Sequence, residues 1–177
     1  MTWSGSARSG ATRAPHSRHT DVVRLYLPAT LDELDPAADG SVTLGPRTAH
    51  AVTAALRAAL PDEDDEGLEF SAHLMAADDS LAMLAARGDA PRLRLVVTVD
   101  VPDGAVRLDA APDDAGPSAV ALVDAVGGDA IACVHVDEPE VAADVARALE
   151  GDVAAAERVD DADLLWYDAA EIAQIPR

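Results

Sequence analysis

The sequence predicts an α+β fold of the ferredoxin-like type, a sandwich in which the elements follow the order βαββαβ. Three observations predict it. Apolar and polar residues alternate in the candidate strands, and apolar residues recur every three or four positions in the candidate helices. Proline and glycine lie at the boundaries between them. We expect a paired-helix first crossover and an inserted segment at about residues 105–128.

The first predicted strand carries aliphatic side chains on one face and polar ones on the other. Val23, Leu25 and Leu27 would face one side, whereas Arg24 and Tyr26 would face the opposite side. This alternation is typical of a half-buried strand.

The paired helices follow. Pro46 suits the first turn of a helix over about 46–60. The acidic residues at 62–66 suit the start of a second, longer helix, because the helix dipole favours negative charge there. We expect that helix to bury an apolar stripe formed by Phe70, Leu74, Ala77, Leu81, Leu84 and Ala85.

In the second half of the chain, the sequence predicts further strands and one helix, separated by shorter stretches of sequence. The predicted strands are 93–99, a short run at 105–108, 130–136 and 164–167, and the predicted helix is 138–149. The segment at 120–123 is compatible with either helix or strand.

Length and composition predict a single domain. A chain of 177 residues can bury a sizeable core, and Cys133, its one cysteine, rules out an internal disulfide. Residues 1–20 have no apolar periodicity and predict a disordered N-terminal tail, which leaves 21–177 as one α/β domain.

The charge restricts the classes of partner. The net charge is −20, which disfavours nucleic acid and anionic membrane surfaces as partners. No apolar stretch is long enough to cross a bilayer, and the N-terminus lacks the apolar core of a secretory signal. These features predict a cytoplasmic protein.

Four runs of sequence resemble an uncharacterised family of small acidic proteins from high-GC bacteria. They are RLYLPAT at 24–30, LEFSA at 68–72, VHVD at 134–137 and LLWY at 164–167. The resemblance spans about residues 22–172 and carries no activity, substrate or catalytic residue. It implies that the natural chain starts close to the first strand, so that residues 1–20 represent an extended or misassigned start.

Two groups of side chains could carry chemistry. Cys133, His135 and Asp137 alternate along one strand and could serve as metal ligands, or as a nucleophile with its base. The competing interpretation is a small buried cysteine and a histidine on a sheet face. Glu69 and His73 are four residues apart, which favours an exposed interaction within the helix.

No motif points to an enzyme class. The sequence contains no glycine-rich phosphate loop, GxSxG elbow, HExxH or CxxC, and His50 has no evident partner. We therefore predict no cofactor, no metal ligand and no catalytic residue.

The polar face of the predicted sheet is the leading candidate for a binding surface. Five side chains that are typical of interfaces would share it: Arg24, Tyr26, Arg94, His135 and Trp166. The competing interpretations are a solvated sheet face and one covered by residues 105–128.

These observations leave three hypotheses about function. The first is a non-enzymatic module that uses an open sheet face to form a homodimer or to bind a protein partner. The second is a small-ligand-binding regulatory domain, and the third is a metal- or thiol-dependent enzyme.

Overall fold

The computed structural model describes residues 22–36, 40–108, 111–112 and 115–176. The predicted N-terminal tail, residues 1–20, lies outside this part of the chain. The described residues form a mixed α/β structure built on an antiparallel sheet. This confirms the mixed α/β class. No helix among the described residues is long and apolar enough to span a membrane.

The elements are as follows. The strands are β1 (Val22–Ala29), β2 (Thr43–Leu44), β3 (Arg47–His50), β4 (Leu95–Pro102), β5 (Val106–Arg107), β6 (Ala119–Leu122), β7 (Val126–Gly127), β8 (Ile131–Asp137) and β9 (Leu164–Asp168). The α-helices are α1 (Ala54–Ala59), α2 (Asp65–Ala86), α3 (Ala142–Leu149) and α4 (Val153–Asp160). Short 3-10 helices at Leu31–Leu34 and Ala169–Gln174 follow β1 and β9.

The strand order does not confirm the ferredoxin-like topology. The seven-stranded sheet has the order β5-β6-β3-β1-β4-β8-β9, and β2 pairs with β7 in a separate ribbon. A βαβ crossover joins parallel strands. Here β1 and β4 are antiparallel neighbours from Val22↔Pro102 to Ala29↔Leu95. The helices instead follow β3, which is antiparallel to β1 and therefore parallel to β4. They connect β3 to β4 across β1, so the crossover does not start from the first strand as predicted.

The predicted helix at 46–60 is wrong in its first half. Arg47–His50 forms β3, which pairs with both β1 and β6. The helix begins only after Thr53, whose side chain accepts a hydrogen bond from the Leu56 N–H. Pairing between strands distant in sequence decides the conformation of residues 47–50, and local periodicity cannot report it.

The other predicted elements are closer to the structure. Strands β4, β8 and β9 and helix α3 confirm the predictions for their segments. Residues 119–122 form a strand, β6, which settles the ambiguous segment. The described residues of the 105–128 segment contribute β5 and β6 to one side of the sheet and β7 to the separate ribbon, and none of them lines the cavity on the polar face.

One sheet face packs against short strands and 3-10 helices. Leu25 and Leu27 of β1 and Val97 of β4 are fully buried in this aliphatic core. The residues that cover them from outside the main sheet include Leu31, Leu34, Leu44, Val126, Ile172 and Ile175. The alternation in β1 thus correctly predicts its buried aliphatic face.

Helices cover the other face, which carries the polar side chains. Tyr26 and Val96 are buried against α1 and α2, in contact with a cluster that contains Leu68, Ala72 and Ala76. The small alanines let α2 lie close to the sheet. The expectation of an open sheet face is therefore wrong for the part beneath α2.

A β-bulge changes the face of one residue in β8. The register with β4 shifts between Thr98 and Val99, so that Thr98 pairs with Cys133 but Val99 pairs with Ile131. Ile131 consequently joins the aliphatic core, whereas Cys133 stays on the helix-covered face. Strict alternation would have placed both on one face.

Candidate functional site

A large cavity lies between α2 and the sheet, and we call it the α2 cleft. Its volume is about 830 Å³. This lies within the range of small-molecule sites in proteins, about 300–1,000 Å³. It is lined by Arg24, Tyr26, Glu66, Gly67, Glu69, Phe70, His73, Leu74, Ala77, Arg94, Thr98, Cys133, His135, Asp160, Ala162, Asp163, Leu164 and Trp166.

All five binding residues predicted from the sequence line this cleft: Arg24, Tyr26, Arg94, His135 and Trp166. The antiparallel register brings them together, because it aligns Tyr26 with Thr98 and His135 with Trp166. Their exposures differ, however. Tyr26 and Arg94 are buried, whereas Arg24 and Trp166 are exposed.

Arg94 is held in a buried ion pair. Its Nη2 donates to Asp137 Oδ1 at 2.8 Å, and its backbone N–H donates to Asp137 Oδ2 at 2.7 Å. Nη2 also donates to the Ala162 carbonyl at 3.1 Å. The Asp137 side chain is 0 % exposed. These contacts neutralise the Arg94 charge and join β4 to β8 and to the segment before β9.

Aromatic rings from the sheet and from α2 meet on the floor of the cleft. The ring centroids of His73 and His135 lie 4.5 Å apart, and those of His73 and Tyr26 lie 5.9 Å apart. The Tyr26 hydroxyl donates to Glu69 Oε2 at 3.2 Å. Burial and then the Glu69 carboxylate raise the pKa of Tyr26, which keeps it a hydrogen-bond donor. Glu69 therefore bonds to the sheet, contrary to the predicted contact within α2.

Both cleft histidines are neutral at pH 7. Burial, and next the adjacent His135 and Arg94, lower the pKa of His73 to about 4. Burial also lowers the pKa of His135. A neutral imidazole has one nitrogen that donates and one that accepts. The floor thus presents polar side chains without presenting a net positive charge.

Three polar atoms on this floor have no hydrogen-bond partner in the protein. Among the described residues, four buried side-chain polar atoms lack one: Asp32 Oδ1, His73 Nε2, Thr98 Oγ1 and His135 Nδ1. The last three belong to the α2 cleft. Thr98 is only 3 % exposed. Buried polar groups are normally paired, so their concentration in one cavity calls for a functional explanation.

The rim of the cleft is acidic. Arg24 is paired with Asp100 through two hydrogen bonds of 3.0 Å. Glu66, Asp160 and Asp163 are exposed and take part in none of the ion pairs in the described part of the chain. Both cleft arginines are thus neutralised, while three rim carboxylates are not.

Large apolar side chains border the cleft. Phe70 is 61 % exposed and Trp166 is 57 % exposed, and Leu74 is also exposed. The predicted burial of Phe70 and Leu74 is therefore wrong. Alanines occupy the inner face of α2, because only small side chains fit where the helix approaches the sheet.

The alternating Cys133, His135 and Asp137 do not form one site. Cys133 and His135 line the cleft, but the Asp137 carboxylate is fully buried against Arg94. Among the described residues, no group of three or more His, Cys, Asp or Glu side chains is placed to hold a metal ion.

Sequence reasoning missed a second polar constellation, centred on His50. His50 Nδ1 lies 2.7 Å from Ser118 Oγ, and His50 Nε2 lies 3.0 Å from Asp79 Oδ2. These residue types also form catalytic triads. Here Ser118 is 0 % exposed and, unlike Thr98, does not line the α2 cleft. The arrangement instead satisfies buried polar groups where β3, α2 and the start of β6 meet.

The comparisons with known proteins agree with the resemblance in the sequence. Neither the curated proteins nor the solved structures contain a match to the chain. A family of unknown function, DUF6912, matches residues 23–175, which includes all the residues of the α2 cleft. The expected membership of an uncharacterised family is confirmed, and the chain belongs to DUF6912.

Proposed function

We propose that this chain is a ligand-binding domain that holds a small organic molecule in the α2 cleft. One observation carries the proposal: Thr98 Oγ1, His73 Nε2 and His135 Nδ1 are buried, unpaired within the protein, and lie in the same cavity. A buried polar group without a partner costs about 1–3 kcal/mol. A ligand that bonds to these atoms would recover that free energy.

The dimensions and lining of the cleft favour a small molecule. Its volume, about 830 Å³, is within the usual range for such ligands. The floor supplies a few convergent polar groups, and the apolar side chains Phe70, Leu74 and Trp166 supply contact area at the border. Small-molecule sites typically combine these two features.

The proposal predicts opposite effects of one substitution on stability and on binding. Thr98→Val keeps the shape of the side chain but removes the unpaired hydroxyl. We expect it to raise the free energy of unfolding by about 1 kcal/mol, because a buried polar atom is replaced by a methyl group. Ligand affinity should fall, because the atom that the ligand needs is lost.

Thermal unfolding in the presence of water-soluble amines, carboxylic acids, alcohols and amides tests the proposal. A compound that binds the folded protein raises the midpoint temperature of its unfolding. We expect at least one compound to raise it in the wild-type chain and to do so less in Thr98→Val. Thr48→Val, which changes a β3 threonine outside the cleft lining, is the matched control. The proposal fails if every stabilising compound acts equally on both variants.

Self-association is a second candidate function, and the position of β9 favours it. β9 is the last strand at one side of the sheet, and its Leu165 and Trp166 are 37 % and 57 % exposed. A strand at a sheet edge has backbone groups that can pair with a second copy of the chain. The binding surface would then be this edge instead of the face beneath α2.

Light scattering on the full chain tests this second candidate. We expect a dimer that becomes monomeric in Leu165→Lys, because a charge on an edge strand opposes pairing. Leu108→Lys introduces the same charge at an exposed position outside β9 and should leave the mass unchanged. A monomeric wild-type chain would contradict self-association.

A further inference from the structure

The charges around the α2 cleft point to the class of ligand. Two arginines line it, and each is paired with an aspartate: Arg24 with Asp100, and Arg94 with Asp137. The cleft histidines are neutral at pH 7. No unpaired positive charge therefore remains among the described lining residues, which makes phosphates and carboxylates poor ligands.

By contrast, the negative charges at the rim are available to pair with a ligand. Glu66, Asp160 and Asp163 line the cleft without an ion pair among the described residues. The start of α2 does not need Glu66 as its cap, because Asp64 accepts from the Gly67 N–H at 3.0 Å. A carboxylate without a counter-charge attracts a cationic ligand.

The border of the cleft adds surfaces that suit an organic cation. Phe70 and Trp166 are exposed aromatic side chains, one on α2 and one on β9. Aromatic faces attract ammonium groups and also pack against apolar groups. Thr98, which is buried and has an unpaired hydroxyl, supplies a polar contact on the floor.

We propose that the α2 cleft selects a small organic amine, whose ammonium group lies at Asp160 and Asp163. Its apolar part packs against Phe70 and Trp166, and a polar group reaches Thr98. This inference rests on the proposed ligand-binding function and specifies the chemistry of the ligand.

Three probes of similar size but different charge test the inference. They are 2-phenylethylamine, 2-phenylethanol and phenylacetate, which are cationic, neutral and anionic at pH 7. Cys133 provides the readout, because it lines the cleft and is the one cysteine of the chain. A bound probe should slow the alkylation of Cys133 by iodoacetamide.

We expect protection to follow the order amine, then alcohol, then acid. Asp160→Asn should weaken amine binding about two- to fivefold, and combining it with Asp163→Asn should weaken it about tenfold, because each exposed carboxylate contributes modestly. Asp161→Asn is the matched control, since Asp161 lies between these residues in sequence but does not line the cleft.

The outcomes separate this inference from the proposed function. If the acid or the alcohol protects Cys133 better than the amine does, the ligand class is wrong while the binding function stands. Equal effects of Asp161→Asn and Asp160→Asn would also overturn the ligand class. If none of the probes protects Cys133 and no compound stabilises the chain in the thermal experiment, the binding function fails.

Discussion

Arg94 and Asp137 show how burial changes the effect of an ion pair on the stability of the fold. Both side chains are nearly inaccessible, at 5 % and 0 % exposure. The Asp137 carboxylate accepts from both the backbone N–H and the guanidinium of Arg94, which also donates to the Ala162 carbonyl. Removal of one partner leaves the other charge buried and unpaired. The same residue types form the Arg24–Asp100 pair, where the exposures are 50 % and 38 %.

We expect Arg94→Ala to lower the free energy of unfolding by about 3–5 kcal/mol, because Asp137 is left without its counter-charge. Arg24→Ala, the matched control at an exposed pair, should cost about 1 kcal/mol or less. Urea unfolding of both variants measures the difference. Equal losses would contradict a special contribution of the buried pair.

His73 predicts a loss of stability in mild acid. Its pKa is about 4 in the folded chain, where burial opposes protonation, against about 6.5 in an unfolded chain. Between these values the unfolded state holds more protons, so stability falls as the pH falls from 6.5 towards 4. The loss is at most about 3 kcal/mol, the equivalent of the full shift.

Urea unfolding at several pH values between 7 and 4.5 checks this prediction. His73→Phe should make stability less dependent on pH in this range, because it removes the group that must be protonated. Phe70→Ala alters a neighbouring position on α2 without removing a titratable group and should leave the pH dependence unchanged. If His73→Phe behaves like Phe70→Ala, His73 is not the group responsible.

At the scale of elements, Ser80 fixes the position of α2 over the sheet. Its hydroxyl donates to the Ala29 carbonyl at 2.8 Å and accepts from the Leu95 N–H at 2.9 Å. One fully buried side chain thus joins α2 to the end of β1 and the start of β4. The α2 cleft depends on this placement, since α2 forms one of its walls.

We expect Ser80→Ala to cost about 1–3 kcal/mol of unfolding free energy, because two buried backbone groups lose their partner. Ser71→Ala is the matched control on the same helix, as the Ser71 hydroxyl bonds only to the Gly67 carbonyl of its own helix. Hydrogen exchange at the Leu95 amide should quicken in Ser80→Ala alone. Unchanged exchange would contradict the bridging role.

The difference between local patterns and contacts distant in sequence explains how much of the fold and of the α2 cleft the sequence could predict. Alternation in β1 correctly predicts that Arg24 and Tyr26 lie opposite the aliphatic core, and it helped to group five residues that line one cleft. Each such pattern depends only on neighbours in the sequence. Strand order depends on contacts distant in sequence, and β3 and its pairing with β6 were therefore not predictable.

The side of α2 that packs against the sheet could not be predicted either. The bulky residues Phe70 and Leu74 suggested a buried stripe, but Ala72 and Ala76 lie against the sheet. Steric fit against Tyr26 and Val96 decides this orientation, and helical periodicity carries no information about the opposing surface. The contact of His50 with Ser118 and Asp79 likewise joins residues from three separate parts of the chain.

For the whole molecule, the dominant physical feature is its charge. The chain has 33 acidic residues against 13 arginines. Mutual repulsion among these carboxylates destabilises the compact state, and salt screens it over about 10 Å at 0.1 M. The same field attracts cations to the surface, and the unpaired carboxylates at the rim of the α2 cleft concentrate that attraction locally.

Salt should therefore act on stability and on amine binding in opposite directions. We expect the thermal midpoint to rise as sodium chloride increases, because repulsion is screened. Over the same range the affinity for 2-phenylethylamine should fall, because sodium ions screen the rim carboxylates. Asp62→Asn, at an exposed position outside the cleft, should raise the midpoint at low salt without changing amine affinity. A parallel change of both quantities with salt would show that the amine responds to folding instead of to the charges at the rim.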